Sequence, residues 1–156
     1  MAVFSNKRIL LGVTGSIAAY KAADLASKLT QAGALVDVIL TEAAQKFVTP
    51  LTFQSVTGRR AHTDSDLWGN EAHVLHVGLG HTANLLMIAP CTANTIAKLA
   101  YGQADTLLTV TALAATCPLL LAPAMDGGMY DHPATQENLD TLRKRGAHII
   151  EPADGR

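Results

Sequence analysis

Apolar and polar positions along this chain fall into two alternating registers. RILLGV (8–13) is apolar almost without a break, as a strand buried on both faces requires, and it runs into the glycine-rich stretch GVTGSIAAYK (12–21). Next, IAAYKAADLASKLTQAG (17–33) spaces its apolar residues three and four apart. That spacing predicts a helix with Ile17, Tyr20, Ala23, Ala26 or Ser27, and Leu29 on its inward face and Gly33 as its stop. LVDVIL (35–40) predicts a second strand, and a helix pair is expected over 42–57. From Gly58 to Leu75 the chain is polar and irregular. It resumes with a strand at NLLMIAP (84–90), helices near 93–101 and 105–115, and a strand at PLLLAPA (118–124). An amphipathic helix over 134–145 ends at KRG and leads into AHIIEP. The economical solution is an α/β fold, a parallel sheet with helices on both faces. No repeat or linker interrupts it, so residues 1–156 read as one domain.

Composition narrows the function. The chain has 156 residues, 49% of them hydrophobic, with 12 basic against 13 acidic side chains and a net charge of −1. No basic stripe offers itself to nucleic acid, and no apolar run approaches the ~20 residues of a membrane span. The start carries no charged and apolar leader, so a soluble, cytoplasmic protein is expected. Cys91 and Cys117 each lie beside a proline and near an apolar run, which suits reduced, partly buried thiols, and neither has zinc-ligand spacing.

Open parallel sheets bind ligands at the carboxyl ends of their strands, which is where Thr14, Gly15 and Ser16 are expected. Backbone amides at a following helix start favour an anion, most often phosphate. The stretch is no P-loop, lacking the Gly-Lys pair, and it lacks the dinucleotide glycines where Thr14 and Ile17 stand. A small phosphorylated cofactor is left, with a merely structural turn as the alternative. Thr92, Asn94 and Thr95 follow Pro90 and either cap a helix or hold polar ligand atoms. In PAMDGGMY, Gly127 and Gly128 allow close backbone approach, or form a plain loop. His73, His76 and His81 are equivalent candidates for a base. No carboxylate or cysteine cluster completes a metal site around them.

GVTGSIAAYK, TEAAQKFVTPLTF, HVGLGHTANLLMIAPCTANTIAKLAYGQADTLL and PAMDGGMY together resemble the FMN-dependent cysteine decarboxylase family nearly end to end. The likeness is strongest to its members acting on phosphopantothenoylcysteine and more distant to those of lantibiotic peptide maturation. It implies a three-layer flavodoxin-like or Rossmann-like fold and an assembly of trimers, or dodecamers built from them, with FMN at subunit contacts. Position by position it puts Gly15, Ser16, Ile17, Thr41, Glu42, Ala43, Thr92, Ala93, Asn94, Thr95 and Ala124 around FMN. The family's active-site histidine falls on His76, which opens the histidine-hydrophobic-x-Leu segment. The implied reaction oxidises a small cysteinyl substrate, loses carbon dioxide from the resulting thioaldehyde, and reduces the enethiol. Asp126 stands where the family's PxMNxxMW motif has a substrate-contacting asparagine, and Tyr130 stands for its tryptophan. Beside a substrate carboxylate an ionised Asp126 is repulsive, so substrate is expected to sit differently or the acid to be neutralised. The family's substrate-covering flap, with its proton-donating cysteine, lies beyond Arg156, so a domain cut before the flap is expected. A peptidyl-cysteine decarboxylase and a non-catalytic regulatory flavoprotein are the alternative readings.

Overall fold

A computed structural model describes residues 2–68 and 72–153, the side chains of 72–74 excepted. Strand β1 (Arg8–Val13) leads through a short loop to helix α1 (Ala19–Gln31), and β2 (Leu35–Leu40) follows. Next come a 3-10 turn (Ala44–Lys46), α2 (Pro50–Thr57), the two-residue β3 (Ala61–His62) and a second 3-10 turn (Asp64–Trp68). The second half comprises α3 (Ala72–Thr82), β4 (Leu85–Cys91), α4 (Ala93–Tyr101), α5 (Leu107–Ala114), β5 (Leu119–Pro123), α6 (Gly127–Asp131), α7 (Pro133–Lys144) and β6 (His148–Ile149). The strands form one parallel sheet in the order β3-β2-β1-β4-β5-β6, which reverses direction between β1 and β4. This is the doubly wound, three-layer α/β architecture of flavodoxin-like proteins. Among the described residues no helix is long and apolar enough to cross a membrane.

Period-two alternation in β1 shows why both faces must be covered. Ile9, Leu11 and Val13 pack under α1 and α2, whereas Leu10 points into the layer built by α4, α5 and α7 with Ile88, Ile96, Leu108, Leu121 and Leu139. Helix α1 buries Ala19, Ala22, Ala26 and Leu29, a small-residue stripe that lets it sit close to the sheet. The inward face expected from the sequence is therefore corrected at two positions: Ile17 precedes the helix and is 77% exposed, and Tyr20 is 62% exposed. Only one α-helix occupies 42–57, because residues before Pro50 make a 3-10 turn and Pro50 itself starts α2.

Helix α3 and strand β3 lie where periodicity gave no element. Gly78 and Gly80 weaken helix propensity in HVLHVGLGH, yet tertiary packing requires one of them. A Cβ on Gly80 would come within 3.1 Å of both the Ala115 nitrogen and the Thr111 carbonyl oxygen, so the glycine is what lets α3 lie against α5.

Candidate active site

The loops after β1, β2, β4 and β5 converge at the carboxyl end of the sheet around its reversal point. Two cavities open there and share Gly15, Thr92 and Asn94. The larger, about 820 Å³, is walled by Ile17, Tyr20, Met125 and Met129, with Ser16, Ala93, Ala124 and Asp126 also on its surface. The smaller, about 440 Å³, is lined by Thr41, Glu42, Ala43 and Thr95 together with Lys46 and Lys98. Every FMN residue expected from the sequence thus lines one cavity or both, and so does Asp126. His76 is on α3 and lines neither, while the side chain of His73 lies outside the described residues.

Threonine hydroxyls hold these loops in place. Thr14, only 1% exposed, donates from Oγ1 to the Pro90 carbonyl oxygen at 2.6 Å and accepts the Thr92 N–H at 3.0 Å. It ties the end of β1 to the end of β4 and is spent on that task, although its position in sequence also suited a ligand. Thr92 Oγ1 caps α4 by accepting the Thr95 N–H at 3.2 Å, and Thr41 Oγ1 accepts the Ala44 N–H at 3.1 Å. Thr14→Val removes both buried bonds at nearly constant volume. It is expected to cost about 1–3 kcal/mol in urea unfolding, and an unchanged midpoint would show the tie to be redundant.

With the hydroxyls so engaged, the polar groups left over at the cavity walls are largely main chain. The N–H groups of Gly15, Glu42, Ala43, Ala93 and Asn94 have no acceptor among the described residues. Those of Ala93 and Asn94 are the open donors of the first turn of α4. Gly15 leaves the space this cradle needs: a Cβ there would stand 2.4 Å from the Ala43 Cβ. Charge contributes less. Lys98 is paired with Asp105 at 3.1 Å, and Glu42 and Asp64 line the same cavity as Lys46. A site with open backbone donors at its narrow end and an apolar wall at its wide end fits a flat ring carrying a phosphorylated tail.

Asp126 has a structural duty that explains how an acid fits its position. Its Oδ2 accepts the N–H groups of Gly128 at 3.0 Å and Met129 at 3.4 Å, capping α6, and asparagine would cap about as well. Cys91 is fully buried in the core, where burial pushes its thiol pKa up, and both cysteines are free. Among the described residues no group of three or more His, Cys, Asp or Glu could hold a metal ion.

The sequence profile of the Flavoprotein family matches residues 3–156. The chain belongs to the Flavoprotein family. It is 48% identical over 153 residues to the coenzyme A biosynthesis bifunctional protein CoaBC of Bacillus subtilis, covering 98% of this chain and 38% of that protein. The corresponding figures for CoaBC of Vibrio vulnificus are 45% over 155 residues, 99% and 39%. The chain therefore spans less than two-fifths of these relatives. Among solved structures, the FMN-dependent cysteine decarboxylase SpaF superimposes with a TM-score of 0.89 at 39% identity, covering 98% of this chain and 88% of SpaF. A cysteine-to-serine variant of PPC decarboxylase complexed with pantothenoylaminoethenethiol gives 0.84 at 33% identity, with 95% and 83% covered.

The cavities of this Flavoprotein-family chain also use residues that sequence reasoning missed. Lys21, Met125, Met129, Pro152 and Ala153 line the larger one, and Tyr20 belongs there instead of in the core. Lys46, Asp64, Lys98 and Thr106 line the smaller. A usable signal existed for Tyr20 and Lys21, which fall opposite the alanine stripe of α1. None existed for Pro152, which reaches the site only because β6 ends beside β5.

Proposed function

We propose that this chain binds FMN across the two cavities and decarboxylates phosphopantothenoylcysteine to phosphopantetheine, as a carboxy-lyase of coenzyme A biosynthesis. The observation that carries the reading is the pairing of an open-donor backbone cradle with an apolar chamber, in a chain whose relatives are named CoaBC and PPC decarboxylase. The N–H groups of Gly15, Ala43 and Asn94 would hold the FMN phosphate. Ile17, Tyr20, Met125 and Met129 would hold the ring and keep water from it. When bound, FMN supplies the two-electron redox chemistry that makes loss of the substrate carboxylate possible.

His76 moves the proton. Because it lines neither cavity of its own chain, it serves the cavity of a neighbouring copy in a homotrimer or a dodecamer of trimers. Ile17, Tyr20, Met129 and Trp68, which is 88% exposed just ahead of α3, supply apolar surface for that contact. The test is direct. Purified full-length protein should be yellow and release FMN on denaturation, and incubation with phosphopantothenoylcysteine should yield a product lighter by one carbon dioxide. Release of a different cofactor, or an unchanged substrate mass, would overturn the reading.

A peptide ending in cysteine is the second substrate reading: SpaF is named as an FMN-dependent cysteine decarboxylase, a description that a cysteine at the end of a peptide satisfies as well. A competition assay between the two substrates separates them, and bound FMN with turnover of neither would point to the regulatory alternative. At Asp126, asparagine keeps the cap and removes the charge. Asp126→Asn should leave the melting temperature unchanged and KM unchanged or up to about fivefold lower. A large loss of activity at every pH would show that the carboxyl group itself is required.

A further inference from the structure

The chain leaves the sheet at β6 and returns to the larger cavity with Pro152 and Ala153, which line it together with Met129 of α6 and the α6 cap Asp126. The Ile150 N–H still bonds to the Leu121 carbonyl oxygen at 2.9 Å. Beyond it, among the described residues, the outgoing chain is held through the side chain of Glu151. Glu151 Oε2 accepts the Tyr130 hydroxyl at 2.5 Å, and Oε1 accepts Arg143 Nη2 at 2.8 Å. Each contact has its own support. Tyr130 is buried, and its carbonyl oxygen accepts Gln136 Nε2 at 2.7 Å. Arg143 is oriented by Asp140, Nη1 to Oδ1, at 3.0 Å. The residues that line the cavity are chain neighbours of this clasp: Met129 precedes Tyr130, and Pro152 follows Glu151.

Resting on the reading above, we propose that Glu151 is a positioning residue: clasped between Tyr130 and Arg143, it fixes Pro152 and Ala153 as a wall of the cavity and so sets how tightly substrate is held beside the flavin. The clasp is built for geometry more than for global stability. The Glu151 side chain is 64% exposed, and an ion pair so exposed adds little to folding free energy. Its direction is nonetheless defined, because one partner is a buried phenol on the element that also carries Met129. The Tyr130 hydroxyl is the first cause that holds the Glu151 carboxyl below its usual range, and Arg143 adds to it. Burial and the facing carboxylate push the Tyr130 phenol up, so both partners keep the donor and acceptor forms the contact uses.

The test uses the full-length, flavin-loaded protein and the substitutions Glu151→Ala, Glu151→Gln and Tyr130→Phe. Amide exchange at Ile150, the last amide of the outgoing chain with a backbone acceptor among the described residues, should accelerate about tenfold in Glu151→Ala and in Tyr130→Phe, with the amides of α7 unaffected. KM for the cysteinyl substrate should rise three- to tenfold, on the order of one lost hydrogen bond, with kcat within about twofold. Flavin content and melting temperature should hold. The Glu151→Ala, Tyr130→Phe double variant should be no worse than either single one, since both break the same clasp. Glu151→Gln, which still accepts the phenol, should recover most of the KM. Unchanged exchange at Ile150, or an unchanged KM, would overturn the proposal, as would flavin loss with a falling melting temperature. If the wild-type protein turns over no cysteinyl substrate, the functional reading fails instead, and the clasp stands or falls on the exchange result.

Discussion

His76→Asn is expected to lower the proposed decarboxylation by about 10²–10⁴-fold, the usual worth of a positioned acid or base, and to leave bound flavin unchanged. The second half of that expectation follows from the placement of the residue. His76 lines neither cavity of its own chain, so its loss leaves the cradle of Gly15, Ala43 and Asn94 intact. Absorbance of the flavin per chain, measured beside turnover, reads both at once. A sharper measurement follows if each cavity takes its histidine from a neighbouring copy. Chains carrying His76→Asn have a sound cavity and no histidine, whereas chains carrying Gly15→Ala have a blocked cavity and a sound histidine. Neither is active alone. Unfolded together in equal amounts and reassembled with FMN, they should regain activity, because a sound cavity in one copy then meets a sound histidine in the next. With random trimers about a quarter of the cavities are restored. Full activity of His76→Asn with loss at His73 or His81 would move the role along the helix. Absence of any recovery on mixing would confine the histidine to its own chain's chemistry.

The contrast between what was legible and what was not follows from how each residue reaches the site. Thr41, Thr92 and Ala124 directly follow strands whose apolar runs are unmistakable, and Gly15 follows one after a single residue, so their place at the carboxyl end of a parallel sheet could be read from pattern alone. Their specific roles could not. Thr14 and Thr92 have the right chemistry for a ligand, and the structure spends their hydroxyls on tying loops and capping a helix. Helix α3 was hidden for a different reason, since glycines that lower local helix propensity are there to admit α5, a contact more than thirty residues away in sequence. Three/four spacing alone does not fix the face of α1, since a register one residue away also satisfies it; a close helix-sheet approach selects Ala19, Ala22 and Ala26 and leaves Ile17 and Tyr20 for the cavity. Pro152 and the Tyr130–Glu151 clasp depend on which strands lie side by side, information that no local window contains.

Gly15→Ala should abolish flavin retention while the chain still folds, because the loop after β2 lies directly against Gly15. The added Cβ would lie 2.4 Å from the Ala43 Cβ, 3.1 Å from the Ala43 carbonyl carbon and 3.3 Å from its Cα. A separation under 3 Å cannot be absorbed by rotating a side chain here, because a methyl group on Ala43 has no torsion that moves its carbon and the other two contacts are main chain. The loop after β2 must therefore shift away from the loop after β1, and these loops line the smaller cavity and carry the N–H groups of Gly15, Glu42 and Ala43 that have no acceptor among the described residues. Overpacking of this kind costs about 1–3 kcal/mol where it is felt. Much of that is relieved when the solvent-exposed loop moves, so the melting temperature of the flavin-free chain should fall by only a few degrees. The affinity for FMN has no such relief, because several donors lose their common focus together, and a loss of at least about a hundredfold is expected. Titration of the stripped protein with FMN, followed by quenching of flavin fluorescence, measures it. An unchanged dissociation constant would place the phosphate away from Gly15. A chain that no longer melts cooperatively would show instead that the Gly15–Ala43 contact belongs to the folding core.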